Sequence, residues 1–187
     1  MLSDTSPQGT LEGMHTAIVA LGANLPSQAG EPAATLAAAV VRLGSLGRVF
    51  ARSSLYSTAP VGLAEQPRFL NAVVAMETTL HPRDLLRALL AIEQEFGRDR
   101  AAAIANGPRT LDLDILLFDH LVLDEPDLQI PHPRLAERAF VLVPLAEIAY
   151  QAIDPRSGKT AAELLDALRA NTPEEPAAVH RFDHAAW

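Results

Sequence analysis

Length, composition and charge limit what this chain can be: its 187 residues fit one domain, and 49% hydrophobic with 20% charged residues is typical of a packed protein. A net charge of −8 argues against a broad binding surface for nucleic acid or for an anionic membrane. The sequence has no cysteine, which excludes disulfides, zinc–thiolate sites and iron–sulfur clusters.

The beginning of the sequence lacks the charge pattern of a secretory signal peptide. Residues 1–14 are rich in Ser, Thr, Gly and Pro and follow no hydrophobic period, so we expect a flexible N-terminal extension. The first 41 residues contain no Lys or Arg, unlike the positively charged start of a signal peptide. No apolar run approaches the roughly 18 residues of a membrane-spanning helix. We therefore expect a cytoplasmic protein that does not contact membranes.

Hydrophobic periodicity predicts an alternation of strands and helices. The predicted strands are apolar runs rich in β-forming residues, and the predicted helices repeat apolar residues every three or four positions. The first two helices have Pro near their start and Gly near their end. The predicted elements are a strand at 15–25, a helix at 31–47, strands at 48–58 and 69–80, a helix at 81–97, a strand at 107–118, and helices at 139–149 and 159–170.

The order of these elements indicates a fold class. Strand, helix, strand, strand, helix, strand is the split βαβ pattern of ferredoxin-like α+β domains, a βαββαβ core. The two later helices then form a C-terminal addition. We expect one domain over residues 15–171, followed by a tail at 172–187 to which the sequence assigns no structure.

Two aspartates interrupt the strand "GPRTLDLDILLF" at 107–118. In a strand, residues two positions apart point to the same side, so Asp112 and Asp114 share one face and the neighbouring leucines share the other. Two like charges on one face repel each other, and a cation between them removes the conflict. The alternative interpretation is a polar strand face in contact with water.

The ion expected here is Mg²⁺. Without Cys or a nearby pair of His, carboxylate oxygens favour a hard cation, and Mg²⁺ is typically held by one or two carboxylates together with substrate phosphates. Arg109 precedes the aspartates, and Arg98 and Arg100 lie in the loop before them. Guanidinium groups close to a metal-binding carboxylate pair are suited to a nucleotide triphosphate, so all three arginines are candidate ATP ligands.

Four sequence blocks occur in a characteristic order and spacing: "TAPVG" at 58–62, "QPRFLNAVV" at 66–74, "GPRTLDLDILLF" at 107–118 and "IPHPRLAERAFVLVPL" at 130–145. Together they resemble the 6-hydroxymethyl-7,8-dihydropterin pyrophosphokinase family of folate biosynthesis, and the likeness covers roughly residues 15–150. The resemblance implies a ferredoxin-like α/β/α sandwich fold. It also implies the family reaction, in which the pyrophosphoryl group of ATP is transferred to the hydroxymethyl group of the pterin and AMP is released.

The resemblance also implies roles for individual residues. Asp112 and Asp114 are expected to hold two Mg²⁺ ions that bridge the ATP phosphates, and with Arg98 and Arg109 they form the catalytic set. The further expected phosphate ligands are His132 and Arg138. The expected pterin ligands are Phe69 and Phe140 as stacking partners, Asn71 as the hydrogen-bonding residue, and the backbone around Thr58 and Val61.

Some positions remain open at this point. Glu93 lies where the family keeps a glutamate, without an assigned role, and Asn106 replaces an aromatic residue that many relatives carry. We expect a monomer that binds ATP and the pterin and no nucleic acid. The alternatives are another Mg²⁺-dependent phosphotransferase or nucleotidyltransferase on a similar fold, and a nucleotide- or metabolite-binding module without catalysis. RNA binding is a third alternative for this fold, and the acidic net charge argues against it.

Overall fold

The computed structural model describes residues 13–60, 65–100, 107–185 and 187. Within them, five α-helices and one short 3-10 helix accompany eight strands. The bounds are β1 His15–Ala23, α1 Pro32–Leu43, β2 Arg48–Arg52, β3 Leu55–Thr58, β4 Phe69–Thr78, α2 Pro82–Glu95, β5 Asp112–Phe118, β6 Leu123–Glu125, β7 Leu128–Ile130, the 3-10 turn Leu135–Glu137, α3 Ala139–Ala149, α4 Ala161–Asn171, α5 Glu174–Ala177 and β8 His180–Phe182.

One antiparallel sheet forms the centre of the molecule. Its strands lie in the order β5, β1, β4, β3, β8, and β2 pairs with β4 further along the same edge as β3. Counting β2 and β3 as one interrupted strand, the first four positions are the arrangement expected for a ferredoxin-like βαββαβ core. The predicted fold class is therefore confirmed.

Helices cover both faces of this sheet. On one face, apolar residues of α1 and α2 such as Leu36 and Leu89 join the odd-numbered residues of β1 and β5 in the larger core. On the other face, Leu142 and Leu145 of α3 pack with Leu165 of α4 over the opposite side of the same strands. Two apolar layers separated by one sheet make the α/β/α sandwich.

The structure differs from the sequence-based expectations in three elements. The predicted strand at 48–58 is interrupted at Ser53 and Ser54, whose polar groups bond to β4 and to Glu147 of α3 instead of continuing a straight strand. A β6–β7 hairpin lies between β5 and α3. The tail carries the short helix α5 and the strand β8, which pairs with β3.

None of the helices in the described part of the chain is both long enough and apolar enough to span a lipid bilayer. The predicted domain limits, 15–171 for the enzyme domain with a separate tail, stay a prediction. The N-terminal extension lies almost entirely outside the described residues.

Candidate active site

A cavity of about 290 Å³ opens on the face of the sheet that carries α3. It lies where α3 begins, so that the ends of β1, β4 and β5 are left uncovered by a helix. Acidic, basic, amide and aromatic side chains line it together, as is typical of a site for a small polar ligand. The lining includes every site residue predicted from the sequence except Val61, which lies outside the described residues: Thr58, Phe69, Asn71, Arg98, Arg100, Arg109, Asp112, Asp114, His132, Arg138 and Phe140.

The two aspartates project from β5 into this cavity. Asp112 pairs with Gly22 of β1 and Asp114 with Ala20, and all four residues line the cavity. The alternating residues Leu113 and Ile115 point to the opposite face, where they belong to the larger core. The alternation of side chains along β5 therefore places the carboxylates in the cavity and the apolar residues in the core, as the sequence predicts.

Two arginines contact Asp112 directly. Nη1 of Arg98 donates to Oδ1 of Asp112 and, at 2.9 Å, to the carbonyl oxygen of Leu111. Nη1 of Arg109 donates to Oδ2 of the same carboxylate at 2.7 Å. Asp112 thus has a guanidinium on each oxygen, which holds both arginines at the cavity wall.

Glu93 connects α2 to this arrangement, which the sequence did not indicate. Its side chain is 1% exposed and accepts hydrogen bonds from Nε of Arg100 at 2.8 Å and from the backbone N–H of Leu113 at 2.8 Å, and Arg98 approaches at 3.3 Å. Burial raises the pKa of Glu93, while these donors oppose the shift. One buried carboxylate therefore fixes two arginines relative to the strand segment between the aspartates.

Asp114 is in a different electrostatic situation from Asp112. Burial, and after it the negative charge of Asp112, raise the pKa of Asp114 to about 6. The positive charges of Arg138 and Arg98 lower the pKa of Asp114 by less than burial and Asp112 raise it. A divalent cation between the two carboxylates would supply the positive charge that offsets their repulsion.

The donor set fits Mg²⁺ and not a structural metal. Among the described residues, no group of three or more His, Asp or Glu side chains is arranged to hold a metal ion by itself. Two carboxylates that need further oxygen ligands from a phosphate or water are the usual environment of Mg²⁺ in nucleotide-dependent enzymes. Asp112 and Asp114 are the residues that could hold it.

The wall opposite the aspartates is basic. Arg138 lies at the start of α3, and burial lowers its pKa. Burial, followed by the positive charge of Arg138, lowers the pKa of His132 to about 4. Nδ1 of His132 accepts a hydrogen bond from the backbone N–H of Arg134 at 3.1 Å. Arg134 also lines the cavity, and the sequence reasoning missed it although it directly follows the "PHP" of the fourth block.

The third side of the cavity is neutral. Thr58 ends β3 and Asn71 lies on β4, and both side chains are buried. Nδ2 of Asn71 donates to Oγ1 of Thr58 at 2.8 Å, which orients the amide. A Cβ on Gly22 would lie 3.2 Å from Oδ1 of Asn71, so the glycine leaves room for this amide at the cavity wall.

Both predicted aromatic stacking partners carry an arginine near one face. The guanidinium carbon of Arg109 lies 5.0 Å from the ring centre of Phe69, and that of Arg138 lies 5.5 Å from the ring centre of Phe140. Such contacts are cation–π interactions. Arg109 therefore contacts both Asp112 and the ring of Phe69.

Asn24 is a further residue that the sequence reasoning did not single out as part of the site. It is buried, its Oδ1 accepts from the backbone N–H of Arg109 at 2.8 Å, and its Nδ2 donates to the carbonyl of Pro67 at 3.0 Å. Asn24 thus connects the segment before β5 with the segment before β4. The sequence showed it only as a turn residue after β1. Asn106 lies outside the described residues.

Comparisons of the sequence with known proteins identify one family. A profile described as 7,8-dihydro-6-hydroxymethylpterin-pyrophosphokinase matches residues 18–150. Proteins named 2-amino-4-hydroxy-6-hydroxymethyldihydropteridine pyrophosphokinase are similar to it: one from Pseudomonas aeruginosa is 51% identical over 70% of this chain and 78% of that protein, and one from Methylorubrum extorquens is 40% identical over 91% of this chain and 100% of that protein.

Solved structures agree at the level of the fold. A crystal structure of Plasmodium falciparum HPPK-DHPS with pteroate matches 90% of this chain with a TM-score of 0.71 at 14% identity, and this chain covers 48% of it. The chain thus spans about half the length of that protein. The sequence profile together with the identity of 51% to the Pseudomonas aeruginosa protein shows the family. This chain belongs to the 7,8-dihydro-6-hydroxymethylpterin-pyrophosphokinase family.

Proposed function

We propose that this cavity carries out the reaction of the family: transfer of the β,γ-pyrophosphoryl group of ATP to the hydroxymethyl group of 6-hydroxymethyl-7,8-dihydropterin. The pterin oxygen forms a bond to the β-phosphorus, the bond between that phosphorus and the oxygen bridging to the α-phosphate breaks, and AMP leaves. The proton of the attacking hydroxyl passes to water. This function is an ATP-dependent step of folate biosynthesis.

The main support for the proposal is that two chemically different walls line the same cavity. The first wall has Asp112 and Asp114 with basic side chains around them, which suits a magnesium triphosphate. The second has Thr58 and Asn71 with an aromatic residue beside them, which suits a flat ring bearing hydrogen-bonding groups. An in-line transfer between two substrates requires both to be held side by side.

On the phosphate wall, Asp112 and Asp114 are the proposed ligands of two Mg²⁺ ions. When bound, Mg²⁺ would neutralise the negative charge that develops on the transferred and leaving oxygens. Arg98 and Arg109, already oriented by Asp112, then donate to phosphate oxygens. Arg100, His132 and Arg138 complete the proposed ATP site from the loop after α2 and from the segment leading into α3.

On the pterin wall, the amide of Asn71 is the proposed recognition group. Oγ1 of Thr58 fixes the orientation of that amide, which leaves its oxygen free to accept from a ring N–H of the ligand. Phe69 and Phe140 are the proposed stacking partners, and each stacked ring is worth roughly 1 to 3 kcal/mol by analogy with nucleobases. The backbone near Thr58 and Val61 is the proposed edge of this pocket.

The test of the function is a separation of the nucleotide products. The purified chain is incubated with Mg²⁺ and ATP, with and without 6-hydroxymethyl-7,8-dihydropterin. We expect AMP and the pterin pyrophosphate in equal amounts, and only when the pterin is present. Formation of ADP would identify a simple kinase, and the absence of product with retained ATP binding would identify a binding module. Either result would contradict the proposal.

The assembly and location of the enzyme stay predictions. We propose that the chain acts as a monomer, since all the proposed ligands in the described residues come from one chain and meet in one cavity. Sedimentation of the active protein at assay concentration tests this statement. A dimer whose dissociation abolishes activity would contradict it. The expectation of a cytoplasmic enzyme is tested by fractionation of the source cells.

A further inference from the structure

The last described part of the chain is attached to the strand that ends at the pterin wall. β8 pairs with β3 through Phe182 opposite Leu55, Arg181 opposite Tyr56, and His180 opposite Ser57. The next residue of β3 is Thr58, whose hydroxyl orients Asn71. β8 therefore lies along the outer edge of β3 up to the residue before the proposed ligand.

A second attachment holds the other end of β3. Nε1 of Trp187 donates to the carbonyl oxygen of Ser53 at 2.7 Å, and the guanidinium carbon of Arg52 lies 4.7 Å from the centre of the indole ring. Ser53 is 1% exposed and exchanges hydrogen bonds with Val73 of β4. Trp187 thus binds at the junction where β2 ends and β3 begins.

The short length of β3 makes these attachments important. β3 has four residues, and only three of them pair with β4: Tyr56, Ser57 and Thr58. A strand of this length that is paired on one side alone loses its hydrogen bonds readily by fraying. With β8 on its outer edge and Trp187 at its start, the strand is paired on both sides and fixed before its first residue.

We propose that β8 and Trp187 form a positioning strap for β3, which sets the place of Thr58 and thereby the orientation of the Asn71 amide at the pterin wall. The inference rests on the proposed function, because it assigns the strap to the binding of that same pterin. The strap residues do not line the cavity, so they act through β3 and not by touching a substrate.

The sheet order predicts a selective effect. β8 and β5 lie at opposite edges of the sheet, separated by β3, β4 and β1. The aspartates and the arginines bound to Asp112 belong to the β5 edge and share no contact with the strap. Loss of the strap should therefore weaken binding of the pterin while leaving binding of the nucleotide unchanged.

The test uses the full chain with Trp187→Ala and Trp187→Phe. Phenylalanine keeps a ring for Arg52 but lacks the N–H that Ser53 accepts, so it should fall between wild type and alanine. We expect the KM and the Kd for the pterin to rise about threefold to tenfold in Trp187→Ala, with kcat and the Kd for the nucleotide within twofold of wild type. Amide exchange in β3 should become faster.

A second variant and a control separate positioning from general damage. Arg181→Pro, at the central pair of β8 and β3, should have the same selective effect through the other attachment. Tyr150→Ala removes an exposed aromatic side chain at the C-terminal end of α3 and outside the cavity lining, and it should leave both affinities unchanged. A loss of affinity for both substrates in parallel with a fall in the unfolding midpoint would contradict the positioning role of β8 and Trp187. Unchanged binding of the pterin would contradict it as well.

Direct binding of the pterin to wild type distinguishes a failure of the proposed strap from a failure of the proposed function. Wild type that binds the pterin, with Trp187→Ala and Arg181→Pro binding it equally well, overturns the strap alone. Wild type that binds nucleotide but no pterin overturns the proposed function and the strap together. The expected result is tight binding by wild type and Tyr150→Ala, and weaker binding by the two strap variants.

Discussion

The two walls of the cavity are built from different kinds of interaction. The charged wall, which is the proposed phosphate wall, consists of Asp112, Asp114, Arg98 and Arg109, held by one another and by the buried Glu93. The neutral wall, which is the proposed pterin wall, consists of Thr58, Phe69 and Asn71, held by strand pairing and a single hydrogen bond between side chains. The charged wall should therefore respond to charge removal and to pH, and the neutral wall to the loss of single hydrogen bonds.

The largest effects are expected from neutralising the aspartates one at a time. Asp112→Asn and Asp114→Asn should each lower kcat/KM about 100- to 1000-fold, because each removes several kcal/mol of metal-dependent charge stabilisation. Their effects on the free energy of unfolding without ligand should differ. Asp112→Asn removes the partner of Arg98 and Arg109 and should lower stability by about 1 to 3 kcal/mol.

Asp114→Asn should leave stability unchanged or increase it at pH 7. The raised pKa of Asp114 means that its ionised form is disfavoured by burial and by Asp112, and asparagine removes that charge. Product assays and thermal unfolding without nucleotide, carried out on both variants, check the pair. Full activity in Asp114→Asn, or equal destabilisation by both substitutions, would contradict the division of roles between the two carboxylates.

The next effect is a pH dependence in which two groups of the cavity oppose each other. The pKa of His132 falls from 6.5 in the unfolded chain to about 4, so its stabilising contribution is present above pH 6.5 and is lost as the pH falls towards 4. The pKa of Asp114 rises from 3.8 to about 6, so its contribution is present below 3.8 and is lost as the pH rises through 6.

Substitution of each group separates the two contributions. Between pH 6.5 and 4, His132→Gln should lose less stability than wild type, by about 1 kcal/mol after screening by solvent. Asp114→Asn should lose more stability than wild type between pH 6 and 4, because it lacks the opposing gain. Urea unfolding of the ligand-free proteins across this range measures both. Parallel curves for all three proteins would show that neither group titrates as described.

The smallest effect is expected on the neutral wall. Thr58→Val keeps the shape of the side chain but removes the oxygen that accepts from Asn71, which should raise the KM for the pterin about fivefold, as for a hydrogen bond worth ~1 kcal/mol. The KM for ATP should not change. Kinetics with each substrate varied in turn provide the measurement.

Thr78→Val is the matched control for this substitution. Thr78 is a buried threonine at the end of β4, opposite His15 of β1, and its hydroxyl donates to the carbonyl of Leu46 at 2.7 Å, outside the cavity lining. It should destabilise the fold to a similar extent with no change in either KM. An increase of the pterin KM in both variants would show that Thr58 acts only through stability.

Much of the site could be predicted because its signals are local in the sequence. The period of two around Asp112 and Asp114 determines that both carboxylates share a face, and the spaced blocks indicate the family to which the chain belongs. The catalytic, metal and substrate roles of these residues stay predictions until the variants are measured. The resemblance singled out Glu93 but assigned it no role, since its partners lie on another strand and in a loop.

The sequence by itself determined the order of strands and helices, the fold class, and the face on which the aspartates lie, because hydrophobic periodicity and strand alternation act between near neighbours. Only the tertiary structure decided that Glu93 holds Arg100 and Leu113, and that β8 and Trp187 are attached to β3. The strand β8 has three exposed residues, which are too few to show a hydrophobic period in the sequence. Its pairing depends on a sheet edge that exists only after the sheet has formed.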